Sequence, residues 1–409
     1  MAGLDRETVR ERIRAAIGEP SVSRRGFEIP EPVGKPRSGE RPRSRVLHTP
    51  GSLPRPLQVP AFAALVAVVL VVVGVGTLVG LRAHIGPSPS FAPSGLPAGS
   101  PRVEGFVPAD VTAVSTDEWW VAGADQRGCS GVKCSRILWT LDAGSSFSSL
   151  PPPPIIATNL RFANPRDGWA YDHGSTTVYT THDGGMSWTP VDLGGAVDDL
   201  QASGGHVYAV VCASAPGCAL ERSPVSADQW VTLSTPAGLG EMADLNVHGS
   251  ELWVAADAGA ALLTSADDGS NFSRSSPCPA GTSISSLNSA TADVLWATCS
   301  SPAVTDVLLS SNAGRSFTAI ALGLNPSWDS IAGPSAGTAA LGGQALELER
   351  TVGEGHSWAQ VLDTGAVWTV VGFTTDQVGF ALATSSGVTS LWRTDDAGTA
   401  WYQIFFSAG

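Results

Sequence analysis

Between residues 140 and 401 one eight-residue frame returns at a nearly constant spacing, and a chain that repeats itself in this way must fold as a row or ring of equivalent units. The frame is Ser/Thr, then Asp or Asn two residues on, Gly two further, and an aromatic at the end. It stands at 140–147, 181–188, 265–272, 310–317 and 394–401, with Asp142, Asp183, Asp267, Asn312 and Asp396 at its third position. Degenerate copies at 223–230 and 351–358 carry Val225 and Gly353 in place of the acid. The closing aromatics Phe147, Trp188, Trp230, Phe272, Phe317, Trp358 and Trp401 are 41 to 45 residues apart, which makes seven units.

A second mark, a turn followed by an apolar strand, gives the same count. It reads Glu118-Trp-Trp-Val, Gly168-Trp-Ala-Tyr, His206-Val-Tyr-Ala, Glu251-Leu-Trp-Val, Val294-Leu-Trp-Ala, Gly337-Thr-Ala-Ala and Val378-Gly-Phe-Ala. Residues 106–406 thus allow about 43 residues per unit, enough for four short strands and their turns. The 46 glycines, 29 prolines and low charged fraction of 15% suit such a chain. The expectation is an all-β, seven-bladed β-propeller of four-stranded blades.

The region before the repeats is different in kind. Residues 1–58 hold 12 Arg/Lys against 7 Asp/Glu, while the remainder holds 12 against 30. In the tail (1–59), Val9, Ile13 and Ile17 recur every four residues ahead of Gly18, predicting a short amphipathic helix at 5–18 in an otherwise disordered segment. Residues 61–81 carry no charge and as a helix would span roughly 32 Å, so 60–82 is predicted to be a transmembrane helix rather than a cleaved signal. The basic side should stay in the cytoplasm. That makes the protein single-pass in the plasma membrane, with its N-terminus inside and its propeller (103–409) extracytoplasmic, lifted off the bilayer by a Pro/Ser/Gly-rich spacer at 83–102. With lysines only at Lys35 and Lys133, the acidic part offers nothing to a nucleic acid.

All six cysteines follow the apolar segment, as expected of an exported domain. Proximity in sequence suggests Cys129–Cys134, Cys212–Cys218 and Cys278–Cys299 among the 15 pairings that six cysteines allow. No metal-ligand spacing accompanies them, and neither a metal nor a cofactor is expected.

The frame itself reads as a turn: Gly where φ is positive, a carboxylate to accept N–H bonds inside the loop, and hydroxyls to close it. Asp142, Asp183, Asp267, Asn312 and Asp396 are therefore read as structural. The whole motif resembles the Asp-box, or bacterial neuraminidase repeat, over residues 106–406. Similar repeats occur in sialidases, some endo-glucanases, sortilin-type receptors and photosystem II assembly factors, so the resemblance implies a fold and leaves the activity open.

Blade 2 sets the strand pattern: a first strand at 157–163, a second at 169–171, a third at 177–181 and a fourth after Trp188. Antiparallel order then puts the eight-residue turns on one face, and on the other the disulfide loops and the start of every innermost strand. A polar residue precedes the first apolar one there in each blade: Asp110, Asn159, Asp199, Asp244, Ser286, Asp329 with Ser330, and Thr369. These are the candidate ligand-binding residues at the channel mouth.

The sialidase resemblance implies three arginines converging on a substrate carboxylate, a Tyr nucleophile activated by Glu, and an acid, on inner strands. Only Arg161 is on an inner strand here; Arg136, Arg222, Arg350 and Arg393 are on third strands and Arg315 is in a turn, while Tyr171, Tyr179, Tyr208 and Tyr402 all lie off the inner strands. The reading adopted is a non-enzymatic binding or scaffolding module for envelope proteins or glycans. The alternative is a glycoside hydrolase using Asp199 and Asp244.

Overall fold

The structure is a computed structural model, and it describes residues 105–125, 131–213, 217–235, 240, 242–344 and 346–406. The tail, the apolar segment 60–82 and the spacer lie outside the described residues. Among those described, no helix is long and apolar enough to cross a membrane.

Seven four-stranded antiparallel sheets form among the described residues, each from strands consecutive in sequence. Their inner strands are Phe106–Ala113, Asn159–Phe162, Ala196–Ser203, Met242–His248, Ser283–Ser289, Trp328–Ser335 and Val367–Phe373. The chain is thus an all-β propeller of seven blades, as the repeat count requires.

The side-chain alternation of a strand explains why such a sheet needs a neighbour on each face. In blade 1 the adjacent residues Trp119 and Trp120 are both fully buried but serve different seams. Trp119 packs with Phe380 and Leu382 of blade 7, and Trp120 with Leu160 and Phe162 of blade 2. Every blade repeats this division, and each apolar cluster joins two successive blades. Trp169, Trp253, Trp296 and Trp368 are buried in the same way, and each such side chain contributes on the order of 1.5–3 kcal/mol.

Among the described residues no strand is exchanged between the first and last blades, and each of these blades is built from its own four strands. Side-chain packing closes the ring. Phe406 meets Phe106 edge-on at 4.7 Å and Phe147 at 5.1 Å between centroids. Arg393 is only 4% exposed; it lies over the Phe380 ring and donates to the carbonyls of Thr116 (2.8 Å) and Ala143 (3.4 Å) in blade 1.

The eight-residue frames all fall between third and fourth strands. In the first copy Thr140 Oγ1 donates to Asp142 Oδ1 (2.7 Å), and Asp142 accepts from Ser146 N (2.9 Å) and Ser146 Oγ (2.6 Å). Gly144 N donates to Thr140 Oγ1 (3.0 Å), which needs the positive φ that Gly supplies. The copies in blades 2, 4 and 5 repeat these bonds, Asn312 substituting its amide for the second carboxylate oxygen, and the copy in blade 7 keeps all but the side-chain bond to that oxygen, since Ala400 has no donor to give it.

Each full turn is also pinned to its own blade through one N–H. Ala143, Gly184, Asp268, Ala313 and Ala397 donate to the carbonyls of Asp117, Arg166, Ser250, Asp293 and Gln377. The degenerate copies keep an equivalent pin, from Val225 to Gly205 and from Gly353 to Gly337, without the acid. Register moves two of the aligned second strands by one residue: Thr181 faces Gly168 and Thr351 faces Ala339, so Asp167 and Thr338 take the place of Glu118.

Two of the expected disulfides are formed. Cys212 and Cys218 face each other across a hairpin of blade 3, and Cys278 on the way into blade 5 joins Cys299 on its second strand. Cys134 is also disulfide-bonded, while Cys129 lies outside the described residues.

Burial works against the Asp142 charge, but the bonds from Ser146 and Thr140 outweigh it and hold its carboxyl below the usual range. Its stabilising contribution is complete above the unfolded-chain value and is lost as pH falls through the lower folded value. Asp142→Ala should lower stability by about 1–2 kcal/mol at neutral pH, whereas Asp142→Asn should cost well under half of that, since Asn312 already serves in blade 5. Urea unfolding of the two variants separates these outcomes.

Candidate functional site

The channel mouth is built from the inner strands, and a bulge decides what it presents. In blades 1 and 3 to 7 the inner strand takes one extra residue near its start. The residue after the bulge is Asp110, Asp199, Asp244, Ser286, Ser330 or Val370; Asn159 holds this place in blade 2. The register narrows one expectation and corrects another. Asp329 and Thr369 are the extra residues themselves, and Ser330 and Val370 occupy the ring position, because a bulge shifts the strand by one where sequence alignment alone cannot see it.

The three ring carboxylates are fastened to backbone. Asp110 accepts from its neighbour Val111 N (2.8 Å) and from Leu160 N of the next blade (2.7 Å). Asp199 likewise accepts from Leu200 N (2.7 Å) and Leu245 N (3.0 Å). Asp244 accepts from Leu287 N of blade 5 (2.5 Å). Each therefore staples one inner strand to the next, satisfying an N–H that no sheet partner reaches.

A second tier two residues further along repeats the device. Thr112 Oγ1 accepts from Phe162 N, Asn246 Oδ1 from Ser289 N, and Asn288 Oδ1 from Gly333 N, at 2.9–3.1 Å. Sequence reasoning did not single out this tier, although polar alternation in Asp110-x-Thr112, Asp244-x-Asn246 and Ser286-x-Asn288 marks it. Asn159 and Thr369 bond locally instead, to Thr158 and Leu382.

Arg161 is the inner-strand arginine at the ring. It is 4.0 Å from Asp110, and its Nε donates to Gln201 Oε1 at 3.1 Å. Burial works against its charge, but Asp110, Asp199, Tyr171 and Asp244 outweigh that effect and keep it protonated. The carboxyls go the other way. Desolvation raises Asp110 and Asp199 despite Arg161 and their N–H bonds, and it raises Asp244 furthest, with the Asp199 charge adding to the rise. Among the described residues no group of three His, Cys, Asp or Glu could hold a metal ion.

The third-strand arginines are committed as well. Arg222 donates to Asp268 O (2.7 Å), Arg350 to Ala397 O (2.7 Å) and Arg393 to Ala143 O, each acceptor being the left-handed residue in the eight-residue turn of the following blade. Trp253 does the same to Ala313 O (3.0 Å). Arg136 pairs with Asp125 on the opposite rim.

With this geometry the fold defines a propeller whose channel polar groups serve as blade-to-blade fasteners. No protein-family model matches the sequence, and no curated protein matches it. Solved structures of similar fold include YCF48 bound to D1 peptide, with a TM-score of 0.53 at 17% identity, covering 72% of this chain and 97% of that one. YCF48 from Cyanidioschyzon merolae scores 0.53 at 14% identity over 74% of this chain and 97% of its own. A puromycin-hydrolyzing peptidase of Mycobacterium tuberculosis scores 0.52 at 13% identity, over 76% of this chain and 56% of its own. At these identities the likeness is one of fold.

The raised carboxyls carry a pH signature. Below the unfolded-chain value, near 4, both states hold the proton and nothing is lost. As pH rises past it the unfolded chain ionises first, so stability falls until the folded carboxyl ionises too. Asp244→Asn should flatten this decline between pH 4 and 7 while keeping an acceptor for Leu287 N; Asp244→Ala should cost about 1–3 kcal/mol by stranding that N–H. Urea midpoints measured across pH test both statements.

Proposed function

We propose that the protein is a non-enzymatic binding or scaffolding module, held at a membrane by the segment at 60–82 and carrying its propeller outside, where it recognises an envelope protein or glycan. The observation that carries this reading is the commitment of the charged groups. Asp110, Asp199 and Asp244 accept main-chain N–H bonds, and Arg222, Arg350 and Arg393 donate to turn carbonyls, so the groups that hydrolysis would need free act as fasteners. A propeller of similar fold is described bound to a peptide, which supports a binding role for this architecture. The repeat-bearing turns, read as Asp-boxes, supply the rigid frame on which loops of either rim are displayed.

One observation favours a second reading. Asp199 and Asp244 have raised pKa values beside Arg161, as a general acid of a glycoside hydrolase would. The two readings part in one experiment. The purified full-length chain should hydrolyse none of a panel of glucans and sialosides, and crosslinking in intact cells should return a recurrent extracytoplasmic partner. Turnover abolished by Asp199→Asn or Asp244→Asn would replace the scaffold with the hydrolase. Protease added outside intact cells should digest the propeller, and its full protection would refute the proposed orientation.

A further inference from the structure

On the face of the ring that carries the eight-residue turns, the turn of blade 5 leans over blade 4, tied there by the bond from Trp253 Nε1 to Ala313 O. A groove of about 330 Å³ opens between them, lined among others by Glu251, Thr264, Asp267, Asn271, Phe272 and Arg315. In blade 1 the third strand places Trp139 opposite Trp120, and the Trp139 indole donates to Glu118 (3.3 Å). In blade 4, as in blade 2, the equivalent pair is a tryptophan with a threonine, Trp253 with Thr264, so a hydroxyl stands where the blade 1 indole fills the space.

The consequence falls on Glu251, the counterpart of Glu118. Asp167, in the same place in blade 2, is bonded to His182 (2.7 Å) and Asn164 (2.8 Å). The Glu251 carboxyl has no hydrogen bond or ion pair among the described residues; burial raises its pKa, Arg315 opposes the rise, and the Asp293 and Asp267 charges add to it. Arg315 is a departure of its own, since the sixth position of the other full turns is Ser145, Met186, Ser270 or Thr399. It is exposed, and among the described residues the one hydrogen bond of its side chain is a long contact of 3.5 Å to Asn312 O. A carboxylate, and a guanidinium at a turn position where the other full copies carry an uncharged residue, thus share one groove without pairing to each other.

The remaining lining is already occupied. Asp267 accepts from Ser265 Oγ, Asn271 N and Asn271 Nδ2, and the hydroxyls of Thr264 and Ser273 pair at 2.6 Å. Phe272 offers a half-buried ring. Two carboxylates against one cation disfavour phosphate and other anions, and the groove lacks a metal-binding cluster. An open groove with one ring, one strong acceptor and one planar donor fits a ligand that is neutral, flat on one side and rich in hydroxyls.

We propose that this groove is a carbohydrate subsite taking a neutral sugar ring, with Phe272 against its C–H face and Glu251 and Arg315 sharing its hydroxyls. The proposal rests on the binding-module reading and takes its glycan branch, at a place remote from the channel carboxylates of the hydrolase alternative. The full-length chain in a sugar-free detergent is titrated calorimetrically with cellobiose, maltose, N,N′-diacetylchitobiose and lactose, with 3′-sialyllactose as the anionic probe. At least one neutral disaccharide should bind saturably with a Kd of about 1 mM or tighter, within reach of a ligand of that size, and 3′-sialyllactose should bind more weakly than lactose.

Glu251→Ala and Arg315→Ala should each weaken binding tenfold or more with unchanged thermal unfolding. Arg166→Ala, an exposed arginine on the same face outside the groove, should leave it intact. Absence of saturable binding by every neutral disaccharide, or binding unaffected by both groove variants, overturns the proposal. A recurrent crosslinked protein partner with no sugar binding overturns the subsite alone; hydrolysis lost in Asp244→Asn, with groove binding retained, overturns the scaffold reading alone.

Discussion

The structure depends on burial at the seams between blades. A four-stranded blade has two apolar faces and too little area to stand alone, so each must be covered by a neighbour, and the last must cover the first. Adjacent bulky residues such as Trp119 and Trp120 divide their packing between two seams, which is why one strand can serve both. Among the described residues the closing seam has no exchanged strand to hold it. It relies instead on Phe106, Phe147 and Phe406 and on the buried Arg393, whose guanidinium reaches two carbonyls of blade 1.

Polar bonds then lock the rotation that apolar packing leaves free. Near the axis, carboxylates and amides of one inner strand accept N–H groups of the next. Towards the turn face, arginines and a tryptophan donate to the left-handed residue of the following blade's turn. The positive φ at Ala143, Asp268, Ala313 and Ala397 turns that carbonyl outward, so the frame that closes a hairpin also latches a seam. A buried N–H or C=O without a partner costs about 1–3 kcal/mol, which makes these bonds worth keeping in a narrow channel even though they desolvate Asp110, Asp199 and Asp244. On the turn face, Glu251 and Arg315 are two charges that share one groove and are left without a firm structural bond.

Much of this was legible in the residues. The seven-fold count followed from spacing alone, and so did the turn chemistry at Asp142 and its copies, because these are local patterns with a fixed period. The Cys212–Cys218 and Cys278–Cys299 bridges followed from proximity. The channel mouth was only half legible. The polar positions are visible in the residues, but a bulge adds a residue without leaving a sequence mark, so Ser330 rather than Asp329, and Val370 rather than Thr369, hold the ring position. The staples themselves were invisible, since Asp110 and Leu160 are fifty residues apart and nothing local connects them.

By itself, then, the sequence determined the number of blades, the strand order within each and the conformation of the turns, all of which arise from contacts between residues close along the chain. Only the tertiary structure decided how the ring closes, which carboxylates bind backbone across a seam and which charges on the turn face stay free. Those outcomes depend on register, on bulges and on one blade's contact with the next, where partners lie some forty or more residues apart and the choice between spent and unspent groups is made by geometry.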